Sequence, residues 1–131
     1  VEKCNMSRSH FKGKYIPKNA EKYDGNAKQT IYRSSWERLF MVYCDRNEQI
    51  LSWSSEEIKI PYRFEEKIRT YYPDFWVDMI DKYGNRVQKI VEIKPHQQRR
   101  MKVNIAKWAA ATMYAINNDM EFLVLTEKEL F

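Results

Sequence analysis

The chain has 131 residues, a length typical of a single domain that can bury its own core. Hydrophobic residues make up 44% of the chain, which excludes an intrinsically disordered protein, and every apolar run is too short to cross a membrane. The formal net charge of +5 is compatible with a polyanionic partner such as nucleic acid, although many other proteins are equally basic. The two cysteines, Cys4 and Cys44, lack neighbouring ligands at zinc spacing, so a reduced cytoplasmic protein is the simpler interpretation.

The first region, residues 1–33, is basic and contains scattered aromatic residues. We expect an extended arm, and two interpretations of it stay open: a solvated tail, or an arm that lies on the domain and grips phosphate groups. The basic side chains that would contact DNA in the second case are Lys12, Lys14, Lys18 and Arg33. The remaining residues, 34–131, are expected to form the domain itself.

The stretch Ser35–Asn47 is predicted to be a helix, because large apolar residues recur in it at helical spacing. Ser34 or Ser35 is the candidate N-cap, since a serine side chain can accept a hydrogen bond from the first turn. One or two strands are expected between Ile50 and Pro61, with Pro61 at an edge or a break because it has no N–H to donate.

A hairpin is predicted next. Its strands are Tyr71–Ile80 and Val87–Ile93, which are rich in aromatic and β-branched residues, and Gly84 lies in the turn between them. Pro95 ends the second strand.

A second helix is predicted over Met101–Asn117, and the apolar run Phe122–Leu125 suits a buried central strand. The face of this helix that is expected to pack on the sheet consists of Ala106, Ala109, Ala110, Met113 and Tyr114. The order of elements, α-β-β-β-α-β, predicts an α/β fold with a mixed β-sheet flanked by helices.

Acidic residues and a lysine fall on the two strands of the predicted hairpin. Glu92 and Lys94 are two residues apart, so they project from the same face of a strand, and Asp74 can face Glu92 if the register allows it. Two clustered carboxylates repel each other unless a cation lies between them, and Mg²⁺ prefers such hard oxygen ligands. We therefore predict a metal site held by Asp74 and Glu92, with the carbonyl group of Ile93 as an additional ligand.

This arrangement suits the hydrolysis of phosphodiester bonds. The metal would polarise a phosphoryl oxygen, while the Lys94 ammonium group would orient water or balance developing charge. Glu37 is either a third acid that reaches the metal or a first-turn glutamate favoured by the helix dipole. The ordinary alternatives are a solvated cross-strand ion pair for Glu92 and Lys94, and a simple turn at Asp74.

Further polar residues surround this hypothetical site. A basic rim for DNA is predicted at the second helix and just before it, from Arg99, Arg100, Lys102 and Lys107. Asp78 and His96 are secondary candidates, because Asp78 is expected to be solvated and a single loop histidine is usually not catalytic.

These motifs resemble those of the PD-(D/E)XK nuclease superfamily, which carries an acid after a proline and then an acid-x-lysine triplet. The corresponding residues are Pro73-Asp74 and Glu92-Ile93-Lys94, with Glu37 at the position of an acid often contributed by the first helix. A closer resemblance, to the head-completion nucleases of T4-like tailed phages, spans residues 11–127. It is carried by Phe11–Asn19, Tyr32–Glu37, Trp53–Glu57, Tyr72–Trp76 and Glu92–Pro95.

The resemblance implies a restriction-endonuclease-like core and the catalytic set Glu37, Asp74, Glu92 and Lys94, with Arg33, Ser34 and Ser35 in supporting roles. It implies a DNA endonuclease that depends on Mg²⁺, with Mn²⁺ as a substitute. The expected substrate is packaged phage DNA, double-stranded or branched, processed late in head completion. The implied partners are portal or neck proteins. A homodimer is a separate expectation, because two copies of an endonuclease can cut both strands. The implied location is the host cytoplasm, with incorporation into the virion.

Two other functions stay open on the same residues. One is a non-catalytic DNA-binding assembly factor that docks at the capsid portal or neck through the basic arm. The other is a nuclease of this fold that acts on RNA. Intact acidic residues favour an enzyme over the assembly factor, while a preference for RNA over DNA would identify the RNA nuclease.

Overall fold

The computed structural model describes residues 12–27 and 30–130, so Cys4 and Phe11 lie outside the described residues. Within the arm, β1 (Gly13–Lys14) pairs in antiparallel fashion with β2 (Ile31–Tyr32). Tyr15, Tyr23 and Tyr32 are buried in the same hydrophobic cluster as the first helix. The described part of the arm therefore lies on the domain.

Asp45 attaches the arm to the end of the first helix. It is fully buried, and its carboxylate accepts hydrogen bonds from the Tyr15 hydroxyl at 2.7 Å and from the backbone N–H groups of Lys18 at 2.8 Å and Asn19 at 2.9 Å. A buried carboxylate is tolerated only when such donors replace water, so this region of the arm has a defined position.

The first helix, α1 (Ser35–Arg46), begins as predicted. Ser34 is its N-cap and accepts a hydrogen bond from the backbone N–H of Glu37. The helix packs its apolar residues against one face of the sheet, where Trp53 and Phe75 lie in the same cluster.

The central sheet has four strands, which are in spatial order β3 (Ile50–Ser55), β6 (Phe75–Ile80), β7 (Arg86–Ile93) and β8 (Glu121–Leu125). The first three are antiparallel neighbours, and β8 runs parallel to β7. The long helix α2 (Lys102–Asn117) covers the second face, and the short helix α3 (Glu127–Leu130) follows β8. The predicted mixed sheet, with its α-β-β-β-α-β order, is confirmed.

The prediction of one strand over Tyr71–Ile80 was wrong. Tyr71 ends β5 (Lys67–Tyr71), which pairs with β4 (Ile60–Phe64) in a separate two-stranded hairpin, and β6 begins only at Phe75. Pro73 lies in the break, where it has no N–H group to continue a ladder. Ile60, Tyr62 and Tyr71 point towards α2, so the hairpin completes the core on that face.

One expectation about packing was right only in part, and another was wrong. In α2, Ala106, Ala110 and Tyr114 of the predicted face do pack against the core cluster, whereas Ala109 and Met113 are exposed. The buried residues of the helix are Asn104, Ala111 and Ala115. Alanines occur on several sides of this helix, so their spacing did not define the packed face.

The run Phe122–Leu125 is not central either. Its strand β8 is half-buried and lies at the edge of the sheet that the described residues form. After α2 the chain returns parallel to β7. Because β6 already pairs with one side of β7, β8 pairs with its other side, at the edge of the sheet.

Among the described residues, no helix combines the length and the apolar character that a membrane span requires.

Candidate active site

Asp74 and Glu92 lie opposite each other where β6 begins and β7 ends. The antiparallel register pairs Phe75 with Val91, and one further step along it sets Asp74 level with Glu92. Asp74 stands just before β6 instead of inside a strand, and its Oδ2 accepts a hydrogen bond of 2.8 Å from the backbone N–H of Ile93. The break at Pro73 thus places a carboxylate at the end of the sheet.

Glu37 approaches this carboxylate from the first turn of α1. It is 3% exposed, and its Oε1 accepts a hydrogen bond of 3.1 Å from the backbone N–H of Arg33. Because the Ser34 cap fixes the helix end next to it, Glu37 has a defined position beside the sheet.

Glu56, which the sequence analysis missed, joins the same cluster. It follows β3 directly with a positive φ of 57°, and its backbone N–H donates to the Asp74 carbonyl oxygen at 3.1 Å. Carboxylate oxygens of Glu37, Glu56 and Asp74 all lie within 4.8 Å of one another. Glu56 lies in the stretch Trp53–Glu57 that contributes to the resemblance, but the sequence did not identify it as an acid of the site. The pairing of β3 with β6 brings it there.

The electrostatics of the cluster favour a bound cation. The pKa of Asp74 is raised well above its ordinary value, first by burial and then by the charges of Glu92 and Glu37. The Ile93 N–H and Lys94 act in the opposite direction and do not cancel this effect. A donor set made only of oxygen atoms, with this much negative charge, fits a hard divalent ion.

Both oxygens of Glu92 are engaged on the α2 side of the sheet. Glu92 is 3% exposed, its Oε1 accepts a hydrogen bond of 2.7 Å from the Tyr71 hydroxyl, and its Oε2 lies 3.6 Å from the Lys94 Nζ. Burial, followed by the charge of Glu92, raises the pKa of Tyr71 well above its ordinary value, so this hydroxyl is a donor. Tyr71 was not a predicted site residue, since its strand was misassigned.

If Glu92 is a ligand of the metal that the sequence predicts, Tyr71→Phe is expected to weaken Mn²⁺ binding and DNA cleavage about 10- to 100-fold, the usual effect of losing a residue that orients a metal ligand. The replacement removes only the hydroxyl that holds Glu92 Oε1. Calorimetric titration with Mn²⁺ measures the affinity. Tyr62→Phe is the matched control, because Tyr62 is buried in the same cluster, whereas the hydroxyl that donates to Glu92 Oε1 is that of Tyr71. Equal Mn²⁺ affinity in both variants would contradict this role for Tyr71.

The predicted DNA-binding side chains lie in three places. On the arm, Lys12, Lys14 and Lys18 are exposed, whereas the guanidinium group of Arg33 pairs with Glu56. Around the start of α2, Arg99, Arg100 and Lys102 are exposed. Lys107 is half-buried, and its Nζ lies 5.6 Å from the centre of the Tyr71 ring, which brings it close to the site.

The secondary candidates are not part of this cluster. Asp78 was expected to be solvated, but its side chain is 7% exposed and forms an ion pair of 2.7 Å with Arg86, its cross-strand diagonal neighbour. His96 is exposed, in a 3-10 turn after β7. Trp53 lies in the core and is fully buried.

Comparison with known proteins identifies the family to which the chain belongs. The chain is 34% identical to the head completion nuclease of Enterobacteria phage T4 over 144 aligned positions, which cover 92% of this chain and 93% of that protein. A family model described as "TnsA-like endonuclease N terminal" matches residues 47–127. This match includes Glu56, Asp74, Glu92 and Lys94, and it begins after Glu37.

Proposed function

This chain belongs to the TnsA-like endonuclease family, and from that membership and its site we propose that it is a metal-dependent DNA endonuclease of the PD-(D/E)XK type. The observation that carries the proposal is the position of Asp74. On the α1 side of the sheet, its carboxylate lies close to those of Glu37 and Glu56. In the register of β6 and β7, Asp74 is level with Glu92, whose side chain pairs with Lys94 on the α2 side.

The proposed chemistry follows from this donor set. Mg²⁺, or Mn²⁺ in its place, would be held by Asp74, Glu37 and Glu92 with the main-chain carbonyl of Ile93. Once bound, the ion supplies Lewis-acid polarisation of a phosphoryl oxygen and a bound water of lowered pKa. Lys94 balances the negative charge that develops on the phosphate, and Tyr71 keeps Glu92 oriented.

The similar phage protein is named a head completion nuclease, and we propose the same stage of assembly for this chain. Its substrate would then be packaged double-stranded or branched DNA, and its partners the portal or neck proteins. It would act in the host cytoplasm and enter the virion, with a homodimer cutting both strands. We also propose that residues 34–131 form the nuclease domain and that residues 1–33 form an arm that contacts DNA.

Incubation with supercoiled plasmid, linear DNA and RNA, in Mg²⁺, Mn²⁺ or EDTA, separates the candidate functions. Nicking of the closed circle that EDTA abolishes is the expected result. Cleavage of RNA in preference to DNA would favour an RNA nuclease instead. Retained DNA binding without cleavage of any substrate would favour the non-catalytic assembly factor.

Neutralising Lys12, Lys14 and Lys18 together is expected to reduce the salt dependence of DNA binding. Each lysine that contacts a phosphate contributes about 0.9 to the slope of log K against log salt concentration. The slope is measured by fluorescence anisotropy from low to physiological salt. A triple replacement of Lys67, Lys82 and Lys128, which are exposed on other elements, makes the same change in net charge. Equal slopes for the two triple variants would remove the arm from the DNA contact surface.

A further inference from the structure

Arg33 and Glu56 form a bidentate ion pair at the entrance of the candidate site. The Arg33 Nε lies 3.0 Å from Glu56 Oε2, and its Nη2 lies 3.2 Å from Glu56 Oε1. The pair is open to solvent, since the side chains are 52% and 29% exposed, so a ligand can reach both partners.

The same Glu56 carboxylate belongs to the cluster with Glu37 and Asp74. Its backbone position is held independently of Arg33, by the hydrogen bond from its N–H to the Asp74 carbonyl oxygen. Glu56 therefore stays next to the other two carboxylates when its ion pair opens. Only the side-chain carboxylate has to exchange the guanidinium group for a cation.

Arg33 has a second attachment, because its backbone N–H donates to Glu37 Oε1. The residue is thus fixed beside the cluster while its guanidinium group is free to change partners. A guanidinium group binds a phosphate in the same bidentate geometry as a carboxylate. DNA at the site would offer Arg33 such a phosphate.

We propose that Glu56 is a further metal ligand of this site. In the free protein the guanidinium group of Arg33 pairs with the Glu56 carboxylate, and it moves to a DNA phosphate when substrate binds. This inference rests on the proposed metal-dependent cleavage of DNA. The exchange removes a positive charge from the cluster and releases a carboxylate to it. DNA therefore strengthens metal binding, and by linkage the metal strengthens DNA binding by the same factor.

The test is calorimetric titration with Mn²⁺, with and without a duplex whose phosphorothioate linkages resist cleavage. In the wild type, DNA is expected to increase the Mn²⁺ affinity about 5- to 150-fold, the usual range of such coupling. Arg33→Ala is expected to bind Mn²⁺ more tightly than the wild type in the absence of DNA, with a coupling factor near one. Glu56→Gln is expected to lose the gain in affinity that DNA provides.

Arg99→Ala is the matched control, because Arg99 is an exposed arginine of the predicted DNA surface that lies outside the carboxylate cluster. It is expected to weaken DNA binding and to keep the wild-type coupling factor. Melting curves confirm that each variant is folded. A weaker or unchanged Mn²⁺ affinity of Arg33→Ala without DNA would overturn the proposal, as would a wild-type coupling factor of one.

A different set of Mn²⁺ affinities is expected if the proposed metal-dependent function itself is wrong. In that case Mn²⁺ would bind with equal affinity to the wild type and to Asp74→Asn, with or without DNA. If only the Glu56 proposal fails, Asp74→Asn still loses Mn²⁺, while Arg33→Ala and Glu56→Gln behave as the wild type does.

Discussion

Asp74→Asn is expected to reduce DNA cleavage on the order of 1,000-fold, because it removes the charge of the carboxylate at the centre of the cluster. Asparagine has nearly the same shape, and its side-chain oxygen can still accept the hydrogen bond from the Ile93 N–H. The fold should therefore persist. Single-turnover cleavage of a labelled duplex in Mg²⁺ measures the loss.

Asp78→Asn is the matched control, because Asp78 lies on the adjoining strand β6 and pairs with Arg86 away from the cluster. It should cleave at nearly the wild-type rate. Wild-type cleavage by Asp74→Asn, or an equal loss in both variants, would contradict the assignment of Asp74 to the site.

Although Asp74→Asn is expected to reduce cleavage, it is expected to stabilise the metal-free protein. Because the folded state raises the pKa of Asp74, it binds this proton more tightly than the unfolded chain does. The contribution of Asp74 to stability therefore falls as the pH rises from about 3.9, the ordinary value for aspartate, through the raised pKa. In EDTA at neutral pH, Asp74→Asn should melt at a higher temperature than the wild type, and the difference should shrink as the pH approaches 4.

Lys94→Ala is expected to reduce cleavage about 100- to 1,000-fold, the usual effect of losing one donor that stabilises charge in a transition state. Lys94 lies at the end of β7 with its Nζ 3.6 Å from Glu92 Oε2, and it is 20% exposed, so it can reach a phosphate at the site. Mn²⁺ affinity should stay within a few fold of the wild type, because an ammonium group is not a metal ligand.

Lys89→Ala provides the control for this variant, since Lys89 lies on the same strand and lines the apolar hollow between α1 and the sheet. It should keep the wild-type rate. If Lys94→Ala lost Mn²⁺ affinity as strongly as it lost activity, its main role would be to hold Glu92 and not to stabilise the phosphate.

The local signals in the sequence predicted the elements that carry most of the site. The Ser34 cap defined the start of α1, and therefore the placement of Glu37 in its first turn. The turn at Gly84, which has a positive φ of 84°, defined the hairpin that carries Glu92. The acid-x-lysine spacing then required Glu92 and Lys94 to share a face, because strand side chains alternate.

The β4–β5 hairpin was missed because its turn lacks the usual residues. Glu65 and Glu66 both take positive φ, at 52° and 64°, where glycine or asparagine is normally found. Without that signal, Tyr71 was assigned to the next strand, and its hydrogen bond to Glu92 could not be expected.

Glu56 was missed for a different reason, since its place in the site depends on tertiary structure alone. Its backbone meets Asp74 because β3 pairs with β6, and that pairing joins residues far apart in the chain. The raised pKa of Asp74 likewise depends on its burial and on the carboxylates of Glu92 and Glu37, which come from two separate elements. Neither property has a local pattern that the sequence could show.

We propose that a divalent ion binds at Asp74, between α1 and the β6–β7 hairpin. Anomalous diffraction from crystals soaked in Mn²⁺ tests it most directly. We expect an anomalous peak within bonding distance of Asp74, about 2.0–2.2 Å, and next to Glu37. The peak should be absent from Asp74→Asn crystals soaked in the same way. A peak elsewhere, for example at His96, would contradict this position for the ion. The absence of a peak, when the same protein cleaves DNA in Mn²⁺, would contradict it as well.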